Sequence, residues 1–226
     1  MAKKKRIRYE EIHSFPNVIF TEIVDADTRK VNRSWSENVF EKEQETVVEI
    51  GCGRGEYCID LARRNPHKNY LGVDIKADRL YIGAKKAMEE GLTNVMFVRI
   101  RVEFLPTFLE GHPISEAWIT FPDPYNRTIN GRKRLTAPRF LDLYRKILNR
   151  GASLHLKTDD PTLYEFSLES LNQSGADIRF HTFDLYSTSE DLGDAKAVQT
   201  TYEKRYIKEG RLIKYIHFTL PAPSEN

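Results

Sequence analysis

At 226 residues, with 40% hydrophobic and 30% charged side chains, the chain has enough apolar material for one sizeable core and the balance of an ordinary globular protein, which excludes a disordered or fibrous class. Its 35 basic residues against 33 acidic ones leave a formal net charge of +2, so overall charge selects no partner and only local concentrations of charge are informative. No internal repeat, low-complexity tract or glycine- or serine-rich linker divides it, which predicts a single core.

The chain opens on a basic arm, Met1-Ala2-Lys3-Lys4-Lys5-Arg6-Ile7-Arg8. No apolar signal core follows it and no later run has the length to cross a membrane, so the expected location is the cytoplasm. The stretch up to residue 45 has no clear periodicity, although Trp35 to Phe40 would begin a short helix. Residues 1–45 are therefore read as an N-terminal extension and residues 46–226 as the folded domain.

From Thr46 onward, β-branched or aromatic runs alternate with helical patterns, the rhythm of βαβ units and a parallel sheet. Strands are expected at Thr46–Ile50, Asn69–Asp74, Val95–Val98, Ala117–Thr120 and Ala152–Lys157, then near Ile178–Phe183 and Leu212–Leu220. Between them fall helices at about Glu56–Arg64, Ala77–Glu90, Glu103–Leu109 and Pro161–Asn172. A further helix carries Phe140, Leu141, Tyr144, Ile147 and Leu148 on one side, with Thr136 as its expected N-cap and Gly151 closing it. Seven strands and five or six helices result. Gly91 is placed for a left-handed C-cap, and two prolines force Phe121-Pro122-Asp123-Pro124 into an extended loop.

Glu49-Ile50-Gly51-Cys52-Gly53-Arg54-Gly55 lies between the first strand of that pattern and its helix, where an α/β sheet presents ligands to helix N-termini. The dinucleotide fingerprint needs a glycine or alanine at 56, yet Glu56 stands at the helix start and would repel a pyrophosphate. With Glu49 as a second carboxylate nearby, the loop suits a ligand carrying an ammonium and a sulfonium, which is the chemistry of S-adenosylmethionine. Asp74 ends the second strand about 20 residues on, where an acid accepts hydrogen bonds from two ribose hydroxyls; the plainer reading is a helix-capping or exposed aspartate. A nicotinamide-dependent dehydrogenase on a similar sheet is the competing enzyme class, and Glu56 with the lack of a Tyr-x-x-x-Lys pair counts against it. Cys52 and Cys58 form neither a CxxC pair nor a disulfide framework, and the six histidines have no ligand spacing, so no metal is expected.

Together, Glu49 to Gly55, Phe121-Pro122-Asp123-Pro124, Lys157-Thr158-Asp159 and Thr200-Thr201-Tyr202-Glu203 resemble the bacterial tRNA (guanine-N7)-methyltransferase family over about Val47 to Tyr215. The glycine loop is shared by many methyltransferases; the other three motifs are far more specific. The resemblance implies a Rossmann-like class I methyltransferase fold, with a seven-stranded sheet whose last strand is antiparallel, S-adenosylmethionine as methyl donor, and a guanine in the tRNA variable loop as target. It puts Glu49, Gly51, Gly53, Gly55 and Asp74 on the cofactor, makes Asp123 the active-site aspartate, and assigns Arg127, Asp159, Thr200 and Glu203 to the substrate. Arg101 stands where the family usually has a cofactor-contacting aspartate, Tyr125 replaces a tryptophan, and Arg127 with Ile129-Asn130 replaces a lysine and an arginine-histidine pair.

Beside these roles stand plainer ones: a turn-former for Asp123, a helix N-cap for Asp159-Asp160, and a core helix face for Tyr202 and Tyr206. The alternatives are an S-adenosylmethionine-dependent methyltransferase acting on another RNA target and, from a non-enzyme class, an RNA-binding relative without activity. The basic loop from Arg127 to Arg134 and the N-terminal arm are the expected contacts for tRNA phosphates. Whether the chain is a monomer or a homodimer is not specified by the sequence.

Overall fold

The hydrophobic runs read as strands do form strands in the computed structural model, which describes residues 2–25, 30–31, 35, 39–40, 42 and 44–222. The chain divides into two compact units, Met1–Ile114 and Ser115–Asn226.

The first unit contains α1 (Ala2–Glu11), β1 (Val18–Phe20), a small antiparallel pair β2 (Ile23–Asp25) and β3 (Lys30–Val31), then β4 (Thr46–Ile50), α2 (Glu56–Arg64), β5 (Asn69–Asp74), α3 (Ala77–Glu89), β6 (Val95–Arg99) and the single turn α4 (Leu105–Phe108). Four strands run in the order β1-β6-β5-β4, and each neighbouring pair is parallel. Val47, Val48, Ile50, Leu71, Val73, Phe97 and Val98 are all buried, as expected of a sheet covered on both faces. Gly91 has φ +67°, and the Leu92 N–H reaches back to the Ala87 carbonyl, the left-handed cap expected there.

One finding was not anticipated: β1 belongs to the same sheet, pairing Val18 with Phe97 and Phe20 with Arg99. With it the first unit's sheet has four strands among the described residues, where three were expected. The helix expected to begin at Trp35 lies largely outside the described residues.

In the second unit, β7 (Ile114–Thr120), α5 (Pro138–Ile147), β8 (Leu148–Thr158), α6 (Pro161–Gln173), β9 (Asp177–Thr182), α7 (Asp194–Ala197), α8 (Thr201–Lys208) and β10 (Lys214–Thr219) follow in turn. The strand order is β7-β8-β10-β9, and β10 is antiparallel to both of its neighbours, as the family pattern of an antiparallel last strand implies.

Two local expectations are corrected here. Thr136 does not cap α5: Ala137 holds the N-cap position without a side-chain bond, and the Thr136 hydroxyl pairs instead with Ser167 Oγ at 2.7 Å on α6. Gly151 does not close α5, which ends at Ile147; it lies within β8 at φ +77°. At Thr136 a tertiary partner outweighs the local signal.

The row Glu49, Gly72 and Phe97 runs across β4, β5 and β6 in register, so all three point to one face. The fully buried Phe97 ring occupies the space that three missing side chains leave. A Cβ on Gly55 would come within 2.3 Å of it, one on Gly72 within 2.7 Å, and one on Gly83 within 3.1 Å. On Gly83 a Cβ would also meet the Arg54 carbonyl oxygen at 2.5 Å. Gly83→Ala should therefore fail to deliver the usual helix gain of about 1 kcal/mol and instead lose roughly 1–3 kcal/mol through overpacking against the loop. Chemical denaturation of the two proteins measures the difference.

Candidate active site

Each unit carries one set of the expected site residues. In the first, β4 runs into the glycine loop, whose Gly51, Gly53 and Gly55 have φ values of +78°, +57° and +66°. These left-handed conformations are cheap only for glycine, which is why the sequence places glycine at each. Gly51 and Cys52 donate their N–H groups to the Val73 carbonyl, and Gly55 donates to Cys52 O, so the loop is folded tightly onto the end of β5. A Cβ on Gly53 would meet nothing within 4 Å, so the loop presents an open face there.

Asp74 closes the arrangement. One carboxylate oxygen accepts the Gly53 N–H at 2.9 Å, and the other accepts the Lys76 N–H at 2.8 Å. A carboxylate has about four acceptor sites, so each oxygen keeps capacity for a further donor such as a ribose hydroxyl. Glu49 is 2% exposed, and its Oε2 accepts the Cys58 N–H in the first turn of α2 at 3.1 Å. Its negative charge lies beneath the loop. Burial, reinforced by Glu49, pushes the thiols of Cys52 and Cys58 well up, so both stay protonated and neither is a nucleophile.

Beyond Asp74 a cavity of about 270 Å³ opens, lined by Thr21, Ile75, Arg99, Ile100, Arg101 and Phe104. Ile75 and Ile100 give it apolar walls suited to a flat heteroaromatic ring. Thr21 follows the unanticipated β1, so the N-terminal segment contributes to the wall, and its hydroxyl donates to the Arg99 carbonyl at 3.0 Å. Arg101 lies at the rim and pairs with Glu103 at 3.4 Å. Glycine loop, acid and apolar slot together fit an adenosine bearing a cationic tail.

In the second unit β7 ends in the turn that bears Asp123. Phe121 and Tyr125, on either side of Pro122-Asp123-Pro124, have φ +47° and +45°. Left-handed backbone is uncommon for bulky residues and stores roughly 1–3 kcal/mol at each position. The turn is held by Arg134, which is 6% exposed, donates to the carbonyls of Pro124 at 2.8 Å and Tyr125 at 3.3 Å, and lies over the Phe166 ring. Arg134 thus turns inward and leaves the phosphate-contact set expected of the basic loop, while Arg127, Arg132 and Lys133 are exposed. Asp123 is exposed at the tip.

The remaining expected substrate residues cluster around the end of β8. The Phe121 N–H donates to the Lys157 carbonyl, bringing the Asp123 turn beside the Lys157-Thr158-Asp159 motif. Asp160, not Asp159, caps α6, accepting the Leu163 N–H at 2.7 Å. Asp159 faces Arg211 at 2.8 Å, a partner that sequence spacing gave no sign of. Thr200 caps α8 by accepting the Glu203 N–H, and Glu203 is fully buried. Tyr202 is 43% exposed, which overturns its reading as core. Among the described residues no group of three or more His, Cys, Asp or Glu could hold a metal, and no helix is long and apolar enough to cross a membrane.

The fold and the two residue sets define a class I methyltransferase. Among solved structures, the 16S rRNA methyltransferase KamB superposes with a TM-score of 0.63 at 16% identity, covering 89% of this chain and 99% of that one. A 16S rRNA (adenine(1408)-N(1))-methyltransferase from Catenulisporales acidiphilia, solved with its cosubstrate SAM, gives 0.53 at 17% identity, covering 80% and 88%. The model of a family described as "Putative methyltransferase" matches residues 43–216. The tRNA (guanine-N(7)-)-methyltransferase of Christiangramia forsetii is 38% identical over 97% of this chain and 99% of its own length, and that of Porphyromonas gingivalis is 41% identical over 84% and 77%. The chain belongs to the tRNA (guanine-N7)-methyltransferase family.

Asp74→Asn tests the cofactor side. The amide would replace one acceptor oxygen with a donor facing a backbone N–H. At about 1.5–3 kcal/mol per charged hydrogen bond, affinity for S-adenosylmethionine should fall on the order of 10- to 100-fold by calorimetric titration. Affinity within twofold of the parent would remove Asp74 from the site.

Proposed function

We propose that this chain transfers the methyl group of S-adenosylmethionine to N7 of a guanine in the variable loop of tRNA. The observation that carries this reading is the likeness, over 97% of the chain, to a relative named for that reaction on tRNA. The exposed Asp123 carboxylate on its strained turn supports it from the geometry. In this reading residues 46–226 carry the methyltransferase motifs, residues 1–45 supply a basic arm and the strand β1 that joins the sheet, and the setting is the cytoplasm.

The donor supplies an electrophilic methyl group on a cationic sulfur. Gly51, Gly53 and Gly55 would let it approach the backbone, Asp74 would accept its ribose hydroxyls, and Ile75 and Ile100 would flank its adenine. Glu49 would favour its positive charge from beneath the loop.

Guanine N7 carries an in-plane lone pair at neutral pH, so this chain needs no strong general base, and positioning supplies most of the rate. Asp123 orients the base and offsets the positive charge that develops on the purine. Asp159 and Glu203 accept donors from its N1 and 2-amino edge, Thr200 fixes the helix turn that carries Glu203, and Arg127 neutralises a neighbouring phosphate. Rigid backbone at Phe121 and Tyr125 keeps Asp123 from drifting, which is what a reaction governed by alignment requires.

Nucleoside mass spectrometry of tRNA from cells with and without the protein tests the reading directly: 7-methylguanosine should disappear with the gene and return with it, and an unchanged level would refute it. Asp123→Ala should lower kcat by about 100-fold or more, with S-adenosylmethionine affinity unchanged. The arm is tested separately. Arg6 pairs with Glu10 at 3.5 Å across exposed helix surface, and Lys3, Lys4 and Lys5 precede it. Replacing Lys3, Lys4, Lys5 and Arg6 by alanine should weaken tRNA binding and flatten its salt dependence, by roughly 0.7–0.9 in log–log slope per lost phosphate contact. An unchanged slope would take the arm out of the interface.

A further inference from the structure

Next to the Asp123 turn, the surface of the second unit alternates aromatic rings with guanidinium groups. Phe121, which leads into that turn, lies 6.0 Å from the Tyr206 ring on α8. Tyr202, one helical turn from Tyr206, is 6.4 Å from it, and the Arg205 guanidinium lies over the two rings at 5.3 Å and 5.0 Å. Arg211 lies over Tyr206 at 4.7 Å. The row therefore starts at the Asp123 turn and ends in solvent, since Tyr202, Arg205 and Arg211 are all exposed.

Two features separate this row from an ordinary basic patch. Both guanidiniums are already tied to carboxylates: Arg211 to Asp159 at 2.8 Å and to Glu209 at 3.1 Å, and Arg205 to Glu209 at 3.5 Å. Their charge is thereby offset, and what remains on offer is flat surface. In addition, Tyr202 and Ile207 leave apolar area in water on a helix of only eight residues, surface that a partner would cover.

A nucleobase is the partner that such a surface fits. A guanine whose N7 is brought to a methyl donor has to leave its stack, and its neighbour in the chain is then left with one face against water. Tyrosine rings and guanidinium planes replace the lost face for any base, because every base has a π-face. Lys204 and Lys208, exposed on the same helix, supply positive charge for the adjoining phosphates.

We propose that Tyr206, Arg205 and Arg211 form a stacking platform for the nucleobase that adjoins the target guanine in the tRNA chain. This rests on the function proposed above and adds a second point of contact to it: Asp123 orients the base to be methylated, while the platform holds its neighbour and so keeps the target from returning to the stack. None of the three residues is among those that the family motifs assign to the substrate. Recognition by stacking tolerates any base, so no sequence preference is expected at the neighbouring position.

The test uses the full-length enzyme and three tRNA transcripts: one intact, and two made abasic at the nucleotide on one or the other side of the target guanosine. Wild type should show kcat/KM lower by about 10-fold on one of the abasic transcripts, the size expected for one lost base stack. Tyr206→Leu keeps apolar bulk against Phe121 and removes the aromatic face. It should lose about 10-fold on the intact transcript and less than about 3-fold on that abasic one, because both changes remove the same contact. Tyr206→Phe keeps the face and should stay within about twofold of wild type on every transcript. Arg205→Ala, at an exposed position that leaves the core untouched, should lose about 3-fold on the intact transcript and nothing on the abasic one. Affinity for S-adenosylmethionine should not move in any variant. A purely structural role for α8 predicts equal losses on intact and abasic transcripts, and that result would overturn the proposal. Equal wild-type rates on all three transcripts would overturn it without any variant while leaving the methylation reading intact, whereas failure of wild type to methylate the intact transcript would end both.

Discussion

The cofactor half of the molecule depends on one packed ring. Phe97 fills the space that Gly55, Gly72 and Gly83 leave empty, on β6, across from β5 and beneath the loop and α3. Interiors are packed densely enough that a methyl group in that space forces backbone to move. The glycines of the loop thus answer two demands at once: left-handed backbone at 51, 53 and 55, and room for a ring below. Asp74 comes from the strand that flanks the ring, and its two hydrogen bonds tie the loop to the chain that follows.

The second unit reaches comparable order by different means. Its site is secured by buried polar groups: Lys157 and Tyr186 on Glu203, and Arg134 on the carbonyls of the Asp123 turn. Such contacts are directional, so they fix orientation as well as distance, and they fail sharply if a single member is lost. A reaction in which base, methyl and sulfur must align gains from that stiffness.

The cofactor side was legible in the sequence because its signals are local. A strand, a glycine loop, a helix and an acid twenty residues on follow one another directly, and the structure reproduces their bounds nearly residue by residue. What escaped was set by distant partners. Val18 to Phe20 is a β-branched and aromatic run too short to stand out, and only parallel pairing with β6 makes it a strand. Thr136 has the composition of a cap but bonds to Ser167, thirty-one positions away. Arg134 sits in a cluster of exposed cations and is turned inward by two carbonyls and the Phe166 ring, none of which spacing reveals. Glu203 was found through the family motif, but its burial against Lys157 was not, since nothing in Thr200-Thr201-Tyr202-Glu203 sets a glutamate at the centre of a core.

The left-handed residues that flank Asp123 bear on how this protein can be improved as a reagent. Glycine would relieve the backbone at 121 or 125, so a search for heat-resistant variants would be drawn to these two positions. The same exchange would free the aspartate to wander. Gains in melting temperature found there should therefore be accompanied by slower turnover, the trade-off typical of sites that keep unfavourable conformations for a purpose.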